Sequence, residues 1–283
     1  MKPSYTTNLM SSFYLWLDHE LLANGQAFQN TSGKLYKCED TSYSQYNVYS
    51  SPFRQWVSDV SISGANVPSG VFINGNFAPR GSGVILNYNK GQVLVDKSIT
   101  NPAITCQYAK KDFNIYYTDE KEESLLFEGA YSLAPKFSMV TGGLNGNDQP
   151  FPCIFLKNTS YENVPFAFGG NDKTLTTVRC IILSDNMYLL DGAISLMADT
   201  ARKVFPILNP SSMPYNYYGD LKSGSKYQYS QLTNAPSTSL AYIDRVTVSR
   251  LDEIRNKHIN LKVVAAMVDF DIWQSRHPRQ YSY

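Results

Sequence analysis

Leu9, Phe13, Trp16, Leu17 and Leu21 recur at three- and four-residue intervals, which places them along one side of an α-helix. Thr7 or Asn8 offers a side-chain oxygen to the orphan N–H groups at its start. Gly25, after Asn24, supplies a stop, because glycine accepts the left-handed turn that ends many helices. The spacing predicts a helix over 9–22 whose apolar stripe needs a sheet or second helix to cover it.

From 34 to 118 the period falls to two, the signature of half-buried strands. Short strands are predicted over 35–38, 56–62 and 70–73. A hairpin is predicted over 83–96, turning at Asn89-Lys90-Gly91, where Gly91 can adopt positive φ. A second pair, 104–108 with 113–117, flanks Lys110-Lys111-Asp112. Turn signals about every ten residues mark this stretch as a small all-β module, a sandwich or barrel. Residues 119–127 follow as a short helix with acidic residues in its first turn, where the helix dipole favours them, and 131–149 read as a loop.

The pattern changes again after 150. Strands are predicted over 153–156 and 174–183, with 161–170 ending in the turn Phe168-Gly169-Gly170. A long helix over 186–204, capped by Asp185 and ended by Pro206, presents Leu190, Ala193, Ile194, Met197, Ala201 and Val204 on one face. Two long strands, 241–251 and 261–273, close the chain on either side of 252–260. The fold class expected is therefore α+β: a mixed sheet with a long covering helix over 119–283, and a small all-β module over 34–118 that is inserted or N-terminal. Residues 1–33 form the opening helix, expected to pack on the C-terminal domain.

Residues 209–240 carry no period and are rich in Pro, Ser, Asn, Gly and Tyr. So long a loop is functional or disordered. Tyr215, Tyr217, Tyr218, Tyr227 and Tyr229 argue for ordering against a neighbouring subunit. The composition points the same way: only 17% of the 283 residues are charged while 21 are Tyr, a surface suited to protein–protein contact. A net charge of +1 and no basic run longer than Lys110-Lys111 argue against duplex nucleic acid as the partner. No apolar run is long enough to span a bilayer, and no signal peptide is recognisable, so a soluble chain made in a cytoplasm is expected. Cys38, Cys106, Cys153 and Cys180 lack metal-ligand spacing, and three lie in apolar strands, so they are expected to be reduced thiols.

Little in the chain suggests bond chemistry. His19, His258 and His277 are isolated and expected at the surface. Gly81-Ser82-Gly83 is no nucleophile elbow, and the stretch from Gly169 to Thr174 lacks the helix a phosphate loop requires. Asp269 and Asp271 alternate along one strand face, as solvent-facing residues or as inter-subunit partners for Arg245 and Arg250. No catalytic, cofactor-binding or metal-binding residue is assigned; a hydrolase using Asp269, Asp271 or His258 is the rival reading.

The succession Pro152-Cys153-Ile154-Phe155-Leu156, Val164-Pro165-Phe166-Ala167-Phe168-Gly169-Gly170, the strand over 176–183, the helix over 185–204 and the closing strands over 242–248 and 261–270 resembles tailed-phage tail terminator and head–tail neck (connector) proteins. The likeness covers roughly half the chain and lies in order and pattern. It implies a non-enzymatic virion subunit, assembled in the host cytoplasm, that forms a hexameric ring in the neck. Its partners would be copies of itself and neighbouring neck, tail tube or sheath proteins, with no cofactor, no sequence-specific nucleic acid and no membrane. The sheet and long helix would form the ring body and the β module an extra contact surface. Another tail, baseplate or fibre protein is the alternative, although neither internal repeats nor a coiled-coil segment is present.

Overall fold

A computed structural model describes residues 5–38, 40–53, 55–81, 83–100, 102–128, 152–167, 171–216, 219, 221–222, 227–234, 239–251 and 263–276. The readings made for 131–149, 252–260, the turn at 168–170, Tyr217, Tyr218, His258 and His277 lie outside the described residues.

Two sheets enclose one helix. Strands β1 (Phe28–Cys38), β2 (Tyr46–Ser50), β3 (Gly70–Ile73), β4 (Asn76–Pro79), β5 (Val84–Asn87), β6 (Gln92–Asp96) and β7 (Ile104–Lys111) form a seven-stranded antiparallel sheet in the order β4-β3-β7-β1-β2-β6-β5. β1 pairs with β7 from Phe28 to Leu35, then with β2 from Tyr36 to Cys38. Strands β8 (Asn114–Tyr117), β9 (Cys153–Ala167), β10 (Asn171–Ser184), β11 (Val204–Ile207), β12 (Ser239–Arg250) and β13 (Val264–Arg276) form a six-stranded sheet in the order β11-β12-β13-β10-β9-β8. It is a mixed sheet, since β8 runs parallel to β9. Helices plus mostly curled β-sheets bear out the broad α+β class.

Helix α1 (Tyr5–Ala23) lies between the sheets and is buried on nearly all sides. On one side the Phe13 ring sits 5.0 Å from Phe270 and 5.7 Å from Phe205, and Trp16 stacks on Phe205 at 5.3 Å. On the other, Leu22 packs with Val57, Ile62 and Ala109. The Asp18 carboxylate accepts a 2.6 Å hydrogen bond from Lys111 Nζ on β7. Ser12 Oγ accepts from the Leu208 N–H. Polar residues on the flank of the predicted stripe are thus buried with partners, and a single core runs through both sheets. Gly25 is needed where α1 ends, because a Cβ there would lie 2.6 Å from the Leu21 carbonyl oxygen.

The hairpin turn is as the sequence predicts, with β5 paired to β6 and Gly91 at φ 58°. Three predicted elements differ. Residues 56–62 form no strand: Trp56 makes one bridge to Lys110, and the Trp56 and Val57 N–H groups donate to the Tyr88 and Ala109 carbonyls. This apolar stretch is a buried connection rather than a ladder. Residues 113–117 do not pair with 104–108. The chain crosses between sheets at Asp112-Phe113, and β8 joins β9, while the Gln55 side chain bonds both N–H and C=O of Ile115. The long covering helix is also shorter than predicted. Helix α2 (Met187–Ala198) is capped by the Asn186 side chain on Tyr188 N–H, not by Asp185. Thr200 Oγ donates to the Met197 carbonyl, Arg202 takes φ 72°, and 204–207 becomes strand β11 beside β12. β-branched Val204 and Pro206 suit this edge strand better than a continued helix.

Candidate interaction surface

The six-stranded sheet has two unlike faces. Alternate residues of β10 and β13, including Val178, Cys180, Val268 and Phe270, point into the shared core beside α1 and α2. Among the described residues the opposite face is covered at one end, where Leu125 and Leu126 of the helical turn Ser124–Glu128 pack on Phe155, Ile181, Leu183 and Ala265. Beyond that cap the face changes character along the strands: a row with Arg179 opposite Asp269, a row with Thr177 opposite Asp271, then Leu175 opposite Trp273.

The charges on this face are paired. Arg179 donates to both oxygens of Asp269 at 2.6 and 2.8 Å and to Glu122 at 2.7 Å. These bonds, Asp269 foremost, raise the Arg179 pKa above its ordinary value. Asp271 accepts from Thr177 Oγ at 3.0 Å and from Arg245 at 2.7 and 3.0 Å. On the other face of the sheet, Arg250 reaches Asp191 of α2 at 2.7 Å. Arg245, Arg250, Asp269 and Asp271 therefore find partners within one subunit. Trp273 lies 5.1 Å from Tyr242, with the Lys173 ammonium 4.6 Å from its ring. A shallow depression of about 580 Å³ runs between Tyr161, Glu162 and Thr177 on one side and Asp244 and Asp271 on the other. Ion pairs this close to solvent contribute ~0–1 kcal/mol each to stability, so this lattice of fixed charge adds little to folding.

The tyrosines assigned to a neighbour require correction. Tyr227 and Tyr229 are 3% and 6% exposed and belong to the chain's own core. Tyr215 packs against that core, its ring 5.9 Å from Tyr227 and its hydroxyl 2.5 Å from Ser58 Oγ. Burial raises the pKa of all three phenols. The segment folds back because its backbone is captured: the Val60 N–H donates to the Tyr227 carbonyl, and Arg80 donates to the Leu221 carbonyl. These rings are used inside the subunit, where large aromatic area stabilises most.

Asp59 is the hub of that capture, and sequence reasoning missed it. Its carboxylate accepts from His19 Nδ1 at 2.9 Å, from the N–H and Oγ of Ser61, and from the Tyr229 N–H at 3.1 Å. His19 is thus not a free surface residue; it is half-buried and stacked 4.5 Å from Tyr229. The only local sign was Asp-x-Ser, which supports an Asx turn. Burial alone would raise the Asp59 carboxyl, but bonds from His19, Ser61 and Tyr229 outweigh it and hold the pKa below the usual 3.8. A depressed folded-state pKa gives stability that is fully present above 3.8 and is lost as pH falls through the lower folded value. Asp59→Asn is therefore expected to cost about 1–3 kcal/mol at pH 7. In urea titrations of both forms, that difference should shrink below pH 3.8; a gap unchanged at pH 2 would contradict the role given to Asp59.

All four cysteines are buried free thiols, and burial pushes Cys106 up to about 12. Among the described residues no helix is long and apolar enough to cross a membrane. Compared with known protein families and with curated proteins, the chain matches none of them.

Proposed function

We propose that this chain is a structural subunit of a ring in the neck of a tailed phage, a tail terminator or connector, which docks the tail to the head through the open part of its six-stranded sheet. One observation carries this reading. β9, β10, β12 and β13 are 15, 14, 12 and 13 residues long, against a usual five or six. On the face turned away from α1 and α2, residues of these strands such as Glu162, Arg245 and Thr247 are exposed. A long sheet with such a face offers a surface for contact. A carboxylate acting as general base must be free to take a proton, whereas Asp269 and Asp271 are each held by an arginine. That favours docking over the hydrolase reading. Another tail, baseplate or fibre role would use the same surface with different neighbours.

Gold-labelled antibody against the chain, viewed by electron microscopy on virions that carry it, tests the placement. Label at the head–tail junction is expected. Label confined to fibres or baseplate, or absent from virions, would remove the neck assignment.

A further inference from the structure

His19 is held on two sides and left with one nitrogen unspent. Asp59 is buried and ionised at neutral pH, so its carboxylate only accepts, and the hydrogen of its 2.9 Å bond with His19 Nδ1 sits on the imidazole. Nε2 of the neutral ring therefore keeps an acceptor lone pair, and among the described residues nothing donates to it. Tyr229, stacked at 4.5 Å, fixes the ring plane. This imidazole lines a cleft of about 620 Å³ together with buried Leu22 and Ile62, half-buried Phe28, and exposed Gln26 and Ser63. Among the described residues no Lys, Arg, Asp or Glu lines it, and Glu20, next to His19 in the chain, is bonded to Lys203. Gln26 holds φ 48°, a costly conformation for a non-glycine residue and one that clusters at ligand sites. The cleft suits an uncharged group with an apolar body and a hydrogen-bond donor at its tip, which is the chemistry of a tyrosine side chain.

Tyr188 presents such a group elsewhere on the same chain. At 84% it is the most exposed large apolar side chain among the described residues, and Met187 beside it is 50% exposed. Its backbone is not loose: the Asn186 side chain accepts from the Tyr188 N–H at 2.8 Å and pins the first turn of α2. Tyr188 does not fill the cleft of its own subunit. α2 nears the end of α1 at Leu196, which a Cβ on Gly25 would approach to 2.8 Å, and Tyr188 lies about 12 Å back from Leu196 along the helix at 1.5 Å per residue. Knob and cleft belong to α2 and α1, which cover the other face of the six-stranded sheet, so both leave the open face free for docking.

We propose that Tyr188 of each subunit inserts into the His19 cleft of the next copy, its ring on Leu22, Phe28 and Ile62 and its hydroxyl donating to His19 Nε2. This rests on the ring reading above and names the contact that builds it. Tyrosines buried in pockets are among the side chains that carry most of the binding energy of an interface, and Tyr and Met are both enriched there. A neutral tip fits an uncharged cleft, whereas a Lys or Glu would be buried without a partner. Knob and cleft are different patches, so the contact is head-to-tail, the kind that generates rings; joining like patches would stop at a dimer and leave the other patch bare.

Complementing variants of the full-length chain test the contact. Tyr188→Ala removes the knob and Ser63→Trp fills the cleft; both positions are exposed, so each variant should keep the circular dichroism of the parent chain. Ser63→Lys, which sets an ammonium at the uncharged cleft, should act as Ser63→Trp does. At a concentration where the unsubstituted chain sediments as a ring, each variant alone should sediment as a monomer. Tyr188→Ala mixed with an equal amount of Ser63→Trp should give a dimer and nothing larger, because one intact knob meets one intact cleft. Rings from either variant alone would overturn the contact and leave the ring reading intact. A mixture that stays monomeric, or grows beyond a dimer, would overturn the pairing of these two patches. An unsubstituted chain that stays monomeric at every concentration would overturn the ring reading and the contact together.

Discussion

Replacing Lys111 by methionine is expected to lower the free energy of unfolding by about 3–5 kcal/mol, because it leaves the Asp18 carboxylate buried without its cation. The two side chains are 2% and 4% exposed and 2.6 Å apart, so solvent cannot take over for the missing partner. At roughly 2–4 °C per kcal/mol for a chain of this size, Tm should fall by roughly 6–20 °C. Asp18→Asn should have a smaller effect of the same sign. The double variant Asp18→Leu with Lys111→Met should recover most of the loss, since the desolvation of both charges disappears with them. A loss below about 1 kcal/mol for Lys111→Met alone would mean that water reaches the pair, and that α1 is not clamped between the sheets as described.

Phe13→Ala should be about as damaging, with a loss of about 3–5 kcal/mol. The ring is fully buried and touches Trp16 of its own helix, Phe205 of β11 and Phe270 of β13. Its removal opens a cavity walled by three aromatic side chains that are held from different elements and cannot easily collapse. Two variants on opposite sides of α1 should therefore each destabilise both sheets together. A single cooperative unfolding transition, shifted in both variants, is the expected calorimetric result. If Phe13→Ala split the transition and left the seven-stranded sheet melting at its former temperature, the shared core would be refuted.

The parts of this fold that were legible in the chain are those governed by local rules. The α1 stripe from Leu9 to Leu21 carried its own period, and Asn89-Lys90-Gly91 carried its own turn chemistry. What stayed hidden depended on partners distant in sequence. Ser12 and Asp18 look like a solvent-facing flank until Leu208 and Lys111 are placed against them. The α2 periodicity continues through Ala201 and Val204, yet pairing with β12 claims 204–207 for a strand. Residues 113–117 sit next to 104–108 in the chain, but their ladder is with β9, which begins at Cys153. For the candidate surface, the alternation of Asp269 and Asp271 correctly places both on one strand face, where the structure sets Arg179 and Arg245 against them. The tyrosines of 215–229 could not be assigned from composition, because aromatic residues serve a core and an interface equally well. Asp59 decides their fate, and it lies 170 residues from the Tyr229 N–H that it binds.

The proposed ring requires that the surface of this molecule be completed by copies of itself. Sedimentation equilibrium of the purified chain over a wide concentration range tests this most directly. A closed assembly of fixed stoichiometry, six subunits, is the expected result, with monomer appearing only on dilution. A chain that stays monomeric at the highest concentration, or stops at a trimer, would contradict it.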